Sequence, residues 1–498
     1  MPRARPSATG ARALLLAALV ALAGGCASTS DYFQDAGRPA AAAPSPLASW
    51  PHRELWTGIV FNGQKVGFTR REVRPAAGSP GRYEIESEAA IRLQFLGFDK
   101  RVSLRSLERV RGDFTLESFR YSHEIDGSAL EVSGSSDGRT LVFTVKASGT
   151  ENQKTQSLEA PLYPTSALAM LPVAGGLSVG ARASYSVFSG ETQSIATAEQ
   201  EVQAYETSGL FAGAAFRTVT RLMGLETLTW IAADGRPLLE RGLNGVMISA
   251  LESEATAKSY LLEASLAKRD ALVDFSLIPS APLEAPRRLS GLEIVLEDLP
   301  EGFAVPSEGG QACSRSGGRL ACRIDRSAAP ARGEPKRYLA PTLAAPSNLG
   351  QIRMLSGKIV SGERDPEKAV ALLLAWIEEN IAKEAIDGFT AIDVLRERRA
   401  ECQGHAYLLA ALARASGIPA RIVNGIAYSE AHRGFLYHTW NELWIGGGWR
   451  PVDATFGQAH ADATHLKLLE GEAAADLMPL AGLIGRIRVV SLAPLARW

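Results

Sequence analysis

Cysteine is scarce in this chain: 498 residues carry four, Cys26, Cys313, Cys322 and Cys402. Cys402-x-x-His405 has a metal-like spacing, with His432, His438, His460 and His465 not far behind. A structural zinc site wants four ligands, and no second C-x-x-C and no H-x-x-x-H accompanies it. No metal and no cofactor is therefore expected; His460 and His465 read as loop residues at a site rim, and His405 as a packing or substrate-side residue. Net charge is nearly absent, at −1, and no basic run stands out beyond the N-terminal arginines, which removes any argument for nucleic acid. The longest apolar run, Ala13 to Ala23, is too short to cross a bilayer as a helix. There is no G-x-S-x-G, no P-loop and no D-x-D-x-D-G calcium loop, so serine-hydrolase, phosphate-loop and calcium chemistry lack a motif.

What is present is a globular composition, 46% hydrophobic and 21% charged, in a length sufficient for about three domains. Arg3, Arg5 and Arg12 precede the apolar run, which ends in Gly24-Gly25-Cys26. That order predicts an export signal over residues 1–25. Cys26 is the lipidation candidate, with ordinary signal-peptidase cleavage as the alternative. An exported, periplasm-facing protein held by a lipid anchor, preferably at the outer membrane, is the expectation. Residues 26–50, rich in proline and alanine, read as a flexible linker.

Residues 51–270 alternate like strands and are punctuated by Asn62-Gly63, Asp126-Gly127, Asp137-Gly138 and Asp234-Gly235. A large, curved antiparallel sheet is predicted, with one helical insertion near residues 166–171. Residues 271–345 read as a small β module. Within it Cys313 and Cys322 flank a turn-rich segment and can staple a hairpin in an oxidising compartment, or stay reduced and buried. Pro286-Arg287-Arg288-Leu289 reads as the opening of a strand. Residues 346–498 form the last domain. Asp365-Pro366 starts a helix whose apolar face is Val370, Leu373, Leu374, Ile377 and Ile381, and Thr390-x-x-Asp393 is a capping box. Residues 484–490 predict an edge strand. The fold class is α+β, a mostly antiparallel β region followed by a mixed C-terminal domain.

Three residues of that domain sit in settings a thiolate acyl-transfer enzyme needs. Cys402 stands before an Ala/Leu-rich helical run, where unpaired N–H groups and the helix dipole favour an anion. His438 lies in the alternating stretch Phe435 to Leu443, and can take and return the thiol proton. Asp453 follows the Gly446-Gly447-Gly448 turn and can orient the imidazole. Parity tests the pairing, because Leu436, His438, Trp440 and Glu442 share one strand face and Trp449, Pro451 and Asp453 share another. A two- or four-residue loop puts Asp453 opposite Trp440, on the His438 face; a three-residue loop puts it on the wrong one. The even loop, or an equivalent bulge, is predicted.

The stretch from Cys402 to Asp453 resembles the bacterial transglutaminase-like superfamily, which shares the papain-like cysteine-protease fold. The marks are the Cys402 helix, Gly417-Ile418-Pro419-Ala420-Arg421, His438-x-Trp440-x-Glu442 and Trp449-x-Pro451-Val452-Asp453-Ala454-Thr455, with a tail through Gly457-Gln458 and residues 462–468. The resemblance covers roughly residues 346–470. It implies Cys402 as nucleophile, His438 as base and Asp453 as orienter, acting on a protein or peptide substrate in the cell envelope. It leaves open peptidase, amidase and cross-linking activity, and a non-catalytic binding module is the alternative. Two positions depart from the common pattern. Ala400 stands where many members have glycine, and Gly404 where many have an acidic residue. The Cys402 backbone N–H is one natural oxyanion donor; the sequence does not single out a second.

Overall fold

In the computed structural model the described residues are 33–37, 39, 42–61, 64–95, 98–259, 277–384 and 388–495. The export signal, Cys26 and the Asn62-Gly63 turn lie outside them. Strands hold 48% of the chain and helices 19%, so the molecule is mostly β, more so than an α+β label conveys.

Among the described residues a sixteen-stranded sheet accounts for the N-terminal half. It is antiparallel throughout except where Leu162–Pro164 runs parallel to Arg182–Ser189. Alternation makes the strands. In Thr140–Ala147, for example, Leu141, Phe143, Val145 and Ala147 are buried while the residues between them face outward. Asp126 and Gly127 both take positive φ between two such strands, as a tight hairpin turn needs. The sheet is joined across a long sequence gap where Met247–Glu252 pairs with Glu54–Phe61. One core draws on both arms: Ile85, Val132 and Phe143 from one, Val202, Phe216 and Ile231 from the other. The sheet therefore curls over its own apolar face. The helical insertion is split into Thr165–Ala167 and Leu171–Gly175, and plugs that core with Ala167, Met170 and Leu171.

A four-stranded sheet runs Gln311–Ser316, Arg319–Asp325, Gly291–Glu297, Arg488–Pro494. Its last strand is the edge strand from the end of the chain, starting slightly later than residues 484–490. Cys313 and Cys322 lie directly opposite each other across the hairpin and form a disulfide. Pro286–Arg288 is not a strand opening but a single 3-10 turn.

In the C-terminal domain, helices Gly350–Val360, Pro366–Asn380 and Ala391–Glu397 pack around the helix Cys402–Ala415. Asp365 caps the second by accepting from Glu367 N–H, and Thr390 and Asp393 complete the capping box of the third. The face Val370, Leu373, Leu374 and Ile377 is buried as its spacing requires. Against this core lies a sheet of Ala420–Ser429, Gly434–Ile445, Gly448–Val452 and Leu466–Glu470, extended by Ile278–Pro279.

Candidate active site

Cys402 is the first residue of its helix. Every residue from Gly404 to Arg414 is buried, so this helix is the central one, and its alanines and glycine let neighbours close in on it. Buried Arg414 anchors the far end, donating to Ala420 O (3.0 Å) and to Glu472 Oε1 (3.2 Å). At the near end Cys402 is a half-buried thiol outside any disulfide, and it donates weakly to Glu401 Oε2 at 3.9 Å.

The two departures from the common pattern turn out to be one. A Cβ at Gly404 would lie 2.6 Å from Ala400 Cβ and 3.0 Å from Val394 Cγ2. Ala400 thus fills the space that a side chain at position 404 would need. Gly404→Asp alone is expected to destabilise by ~1–3 kcal/mol from overpacking, with the buried carboxylate adding to it. The double variant Ala400→Gly/Gly404→Asp should recover part of that loss in urea unfolding, and simple additivity would show the exchange to be coincidence.

His438 and Asp453 are brought together by the hairpin. Ile445 pairs with Gly448 and Asn441 with Val452, so the loop is the two residues Gly446 and Gly447. Both take positive φ, at 63° and 80°, which glycine adopts without penalty. The even register carries Asp453 onto the His438 face, and His438 Nε2 donates to Asp453 Oδ2 at 2.7 Å. Asp453 Oδ1 accepts two backbone N–H groups, from Thr455 (2.7 Å) and Phe456 (3.1 Å). The carboxylate is locked from both sides, and the imidazole presents Nδ1 away from it.

His465 is not a rim residue, as its loop-like setting suggested. It is fully buried and donates from Nε2 to the same Asp453 Oδ2 at 3.0 Å, and from Nδ1 to Asp462 Oδ1 at 3.3 Å. Gly425 makes this approach possible: a Cβ there would stand 2.0 Å from Leu466 O. Asp462 Oδ2 in turn accepts from Arg287 Nη1 (3.1 Å) and Gln458 Nε2 (2.8 Å). The Arg287 guanidinium lies 3.7 Å over the Phe456 ring, and Phe456 stacks on His438 at 4.7 Å. The path closes on itself: His438, Asp453, His465, Asp462, Arg287, Phe456 and back to His438. Sequence reading missed four of these six. The signal it could have used is Asp462-x-Thr464, whose carboxylate accepts the Thr464 N–H and hydroxyl in a local turn.

Charges follow from these contacts. Burial opposes ionisation of Asp453, but the charges and hydrogen bonds of His438 and His465 overcome it and hold its carboxyl well below the usual carboxylate range. Burial likewise opposes a charge on His465, and hydrogen bonds to Asp453 and Asp462 outweigh it and raise its pKa. A raised histidine contributes stability that is complete below the unfolded value of about 6.5 and is lost as pH rises through the higher folded value. His465→Gln should therefore flatten the loss of stability on the alkaline side of neutrality in urea unfolding across pH. An unchanged alkaline limb would show that His465 is neutral in the folded state.

His405 is a packing residue. Its Nδ1 donates to Glu401 O at 2.8 Å, and burial lowers its pKa. His405 stands in the first turn of the Cys402 helix. Asn441 Nδ2 fixes that helix to the His438 strand through Ala406 O, at 3.0 Å. His460 stays exposed. Among the described residues the atoms close enough to share a metal are not Cys402 and His405 but His438, Asp453 and His465, within 4.8 Å of one another. Both imidazoles aim Nε2 at one carboxylate oxygen at hydrogen-bond distance, and His465 spends its other nitrogen on Asp462. With each Nε2 donating to that oxygen, the cluster reads as a proton-held relay.

Two further family marks are structural. Arg421 bonds Glu442 (2.6 Å), Glu470 (3.0 Å) and Glu308 (2.7 Å), and Lys467 bonds Glu308 and Glu442. This buried charge network ties the small β module to the strand that carries His438.

Residues 353–454 match the transglutaminase-like superfamily, and that stretch is a domain of this kind. The kyphoscoliosis peptidase of Mus musculus is 31% identical over 85 residues, 16% of this chain and 13% of that protein. Its Homo sapiens counterpart is 26% identical over 136 residues, 25% and 20% of the two chains. The chain thus spans at most a fifth of those relatives' length. Among solved structures, a candidate cysteine protease from Cytophaga hutchinsonii is 19% identical and covers 41% of this chain and 87% of its own, at a TM-score of 0.28. A β-barrel-like protein from Brucella abortus is 11% identical, covers 40% and 95%, and scores 0.31. Neither superposition assigns a fold at those scores.

Proposed function

We propose that this chain is an exported, thiol-dependent enzyme that breaks amide bonds through a Cys402–His438–Asp453 triad in a papain-like arrangement. The observation that carries the reading is the 2.7 Å bond from His438 Nε2 to a fully buried, ionised Asp453. It supports giving one imidazole nitrogen to the carboxylate and the other, Nδ1, to the thiol as base. His438 takes the Cys402 proton, and the sulfur attacks the amide carbonyl carbon. The Cys402 backbone N–H, at the positive end of its helix, is suited to receive the oxyanion. As the tetrahedral adduct collapses, the C–N bond breaks and His438 returns its proton to the leaving amine, leaving a thioester. His438 then deprotonates water, which attacks the thioester carbon, and the proton goes back to sulfur as the acid leaves.

Hydrolysis is favoured over transfer to a second amine because Cys402 is partly open to solvent. The peptidase names of the mouse and human relatives support the same reading for the matched segment. The substrate is a protein or peptide of the cell envelope, which the enzyme meets from a lipid anchor on Cys26; the N-terminal arginines and the apolar run before Cys26 support that placement.

The test is to offer the full chain envelope proteins and cell-wall peptides in ¹⁸O-labelled water, then analyse enzyme and products by mass spectrometry. A thioester on the Cys402 peptide and label in the released carboxylate are expected. Products joined to an amine would make it a cross-linker, and an unmodified Cys402 with unchanged substrates would end the enzymatic reading.

A further inference from the structure

A second site lies inside the curled N-terminal sheet, in a cavity of about 320 Å³, the low end of the range for small-molecule sites. Its walls come from both arms of the sheet. Arg71 and Glu240 supply charge, and Gln200, Thr218 and Thr229 supply polar atoms. Leu222, Leu225 and Ile231 make an apolar wall, and Met478, from the helix Ala474–Ala481 of the domain that holds Cys402, touches one side.

Two of these groups are buried with a bonding capacity that the protein leaves unused, and a third is a half-buried cation. Thr218 is 1% exposed and Gln200 is 6% exposed, yet Thr218 Oγ1 and Gln200 Oε1 have no hydrogen-bond partner. The amide of Gln200 is held in place, because Nε2 donates to Leu168 O (2.7 Å) and to Thr220 Oγ1 (2.9 Å). Its carbonyl oxygen is thereby fixed as an acceptor waiting for a donor. Arg71 is the third. Burial lowers its guanidinium to about 10, against the pull of Glu240, so it stays charged at neutral pH. Burial also raises Glu240, although Arg71 and Thr229 oppose the shift. Arg71 thus offers a charged guanidinium to the cavity, whose lining holds one carboxylate, Glu240.

These unmet needs describe a ligand: an anion for Arg71, an N–H for Gln200, a hydroxyl partner for Thr218 and an apolar group for the leucine wall. A fatty acid or inorganic phosphate lacks the N–H. The last residue of a peptide has all four features. We propose that this cavity binds the free carboxylate end of a short peptide, with Arg71 on the carboxylate, Gln200 Oε1 on the amide N–H and the terminal side chain against Leu222, Leu225 and Ile231. The site does not depend on Cys402, and it stands or falls apart from the triad.

The test is calorimetry on the full chain carrying Cys402→Ala, so that turnover cannot interfere. The probes are N-acetyl-Ala-Leu, its C-terminal amide and decanoate. The free acid should bind, and the amide should bind at least about 10-fold more weakly, as expected for losing a charged hydrogen bond. Arg71→Met should show the same loss for the acid. Thr218→Val, nearly isosteric, should weaken the acid by about fivefold. Equal affinity for acid and amide, tighter binding of decanoate, no binding of the acid at millimolar concentration, or an Arg71→Met variant with unchanged affinity would each overturn the proposal.

Discussion

Cys402→Ala, made in the full chain, is expected to lose thiol alkylation and amide turnover together while keeping its urea midpoint. Among the described residues Cys313 and Cys322 are consumed in a disulfide and Cys402 is in none, so alkylation of the folded protein reports on this one sulfur. Turnover should fall by at least ~10⁴-fold, since removing the nucleophile of a triad leaves only binding and oxyanion contributions. Stability should change by less than about 1 kcal/mol, because the side chain is half-buried, stands at a helix start, and gives way to a good helix former. The companion measurement is the alkylation rate of the parent against pH. A thiol activated by a helix terminus and an imidazole alkylates well below the free-thiol midpoint of about 8.5. A midpoint at that value, or labelling that survives in Cys402→Ala, would leave a non-catalytic binding module as the better reading.

The parts of this molecule legible in its sequence are those decided locally. The Cys402 helix follows from apolar spacing and its glycine stop, and parity calls for an even loop or a bulge, of which the structure has the two-residue loop through Gly446 and Gly447. The Cys313–Cys322 bridge follows from two cysteines flanking a turn. What stayed hidden depends on contacts between distant segments. Arg287 and Asp462 are 175 residues apart, and nothing in the 3-10 turn at Pro286–Arg288 announces that its guanidinium will cover Phe456. His465 looked like a loop histidine because its partner, Asp453, has no helical or strand spacing to it; a close approach permitted by Gly425 makes the pair. The turns and alternation predict a curved sheet, but the pairing that joins its distant strands, Met247–Glu252 with Glu54–Phe61, is hidden for the same reason.

Asp453→Asn should be the most damaging conservative change in the chain, because it strikes catalysis and folding at once. The carboxylate is fully buried and accepts four hydrogen bonds, from His438, His465, Thr455 and Phe456. An amide keeps the shape but puts an N–H where an acceptor is needed, and it removes the charge opposite two imidazoles. His438 then loses its fixed tautomer, and turnover should fall by ~10³–10⁴-fold. Leaving His465 with Asp462 as its remaining carboxylate, and one buried bond unmade, should cost about 1–3 kcal/mol of stability. The pH dependence separates this from simple loss of packing. A depressed carboxyl contributes stability that is present above the unfolded value of about 3.9 and is lost as pH falls through the lower folded value. In Asp453→Asn that part of the acid limb should disappear from the urea midpoint measured against pH, while His465→Gln should keep much of it, since His438 still faces Asp453. An Asp453→Asn enzyme with near-normal turnover would place the orienting group elsewhere; one that is inactive yet fully stable would mean that this carboxylate serves the imidazole of His438 alone and not the ring of contacts through His465, Asp462 and Arg287.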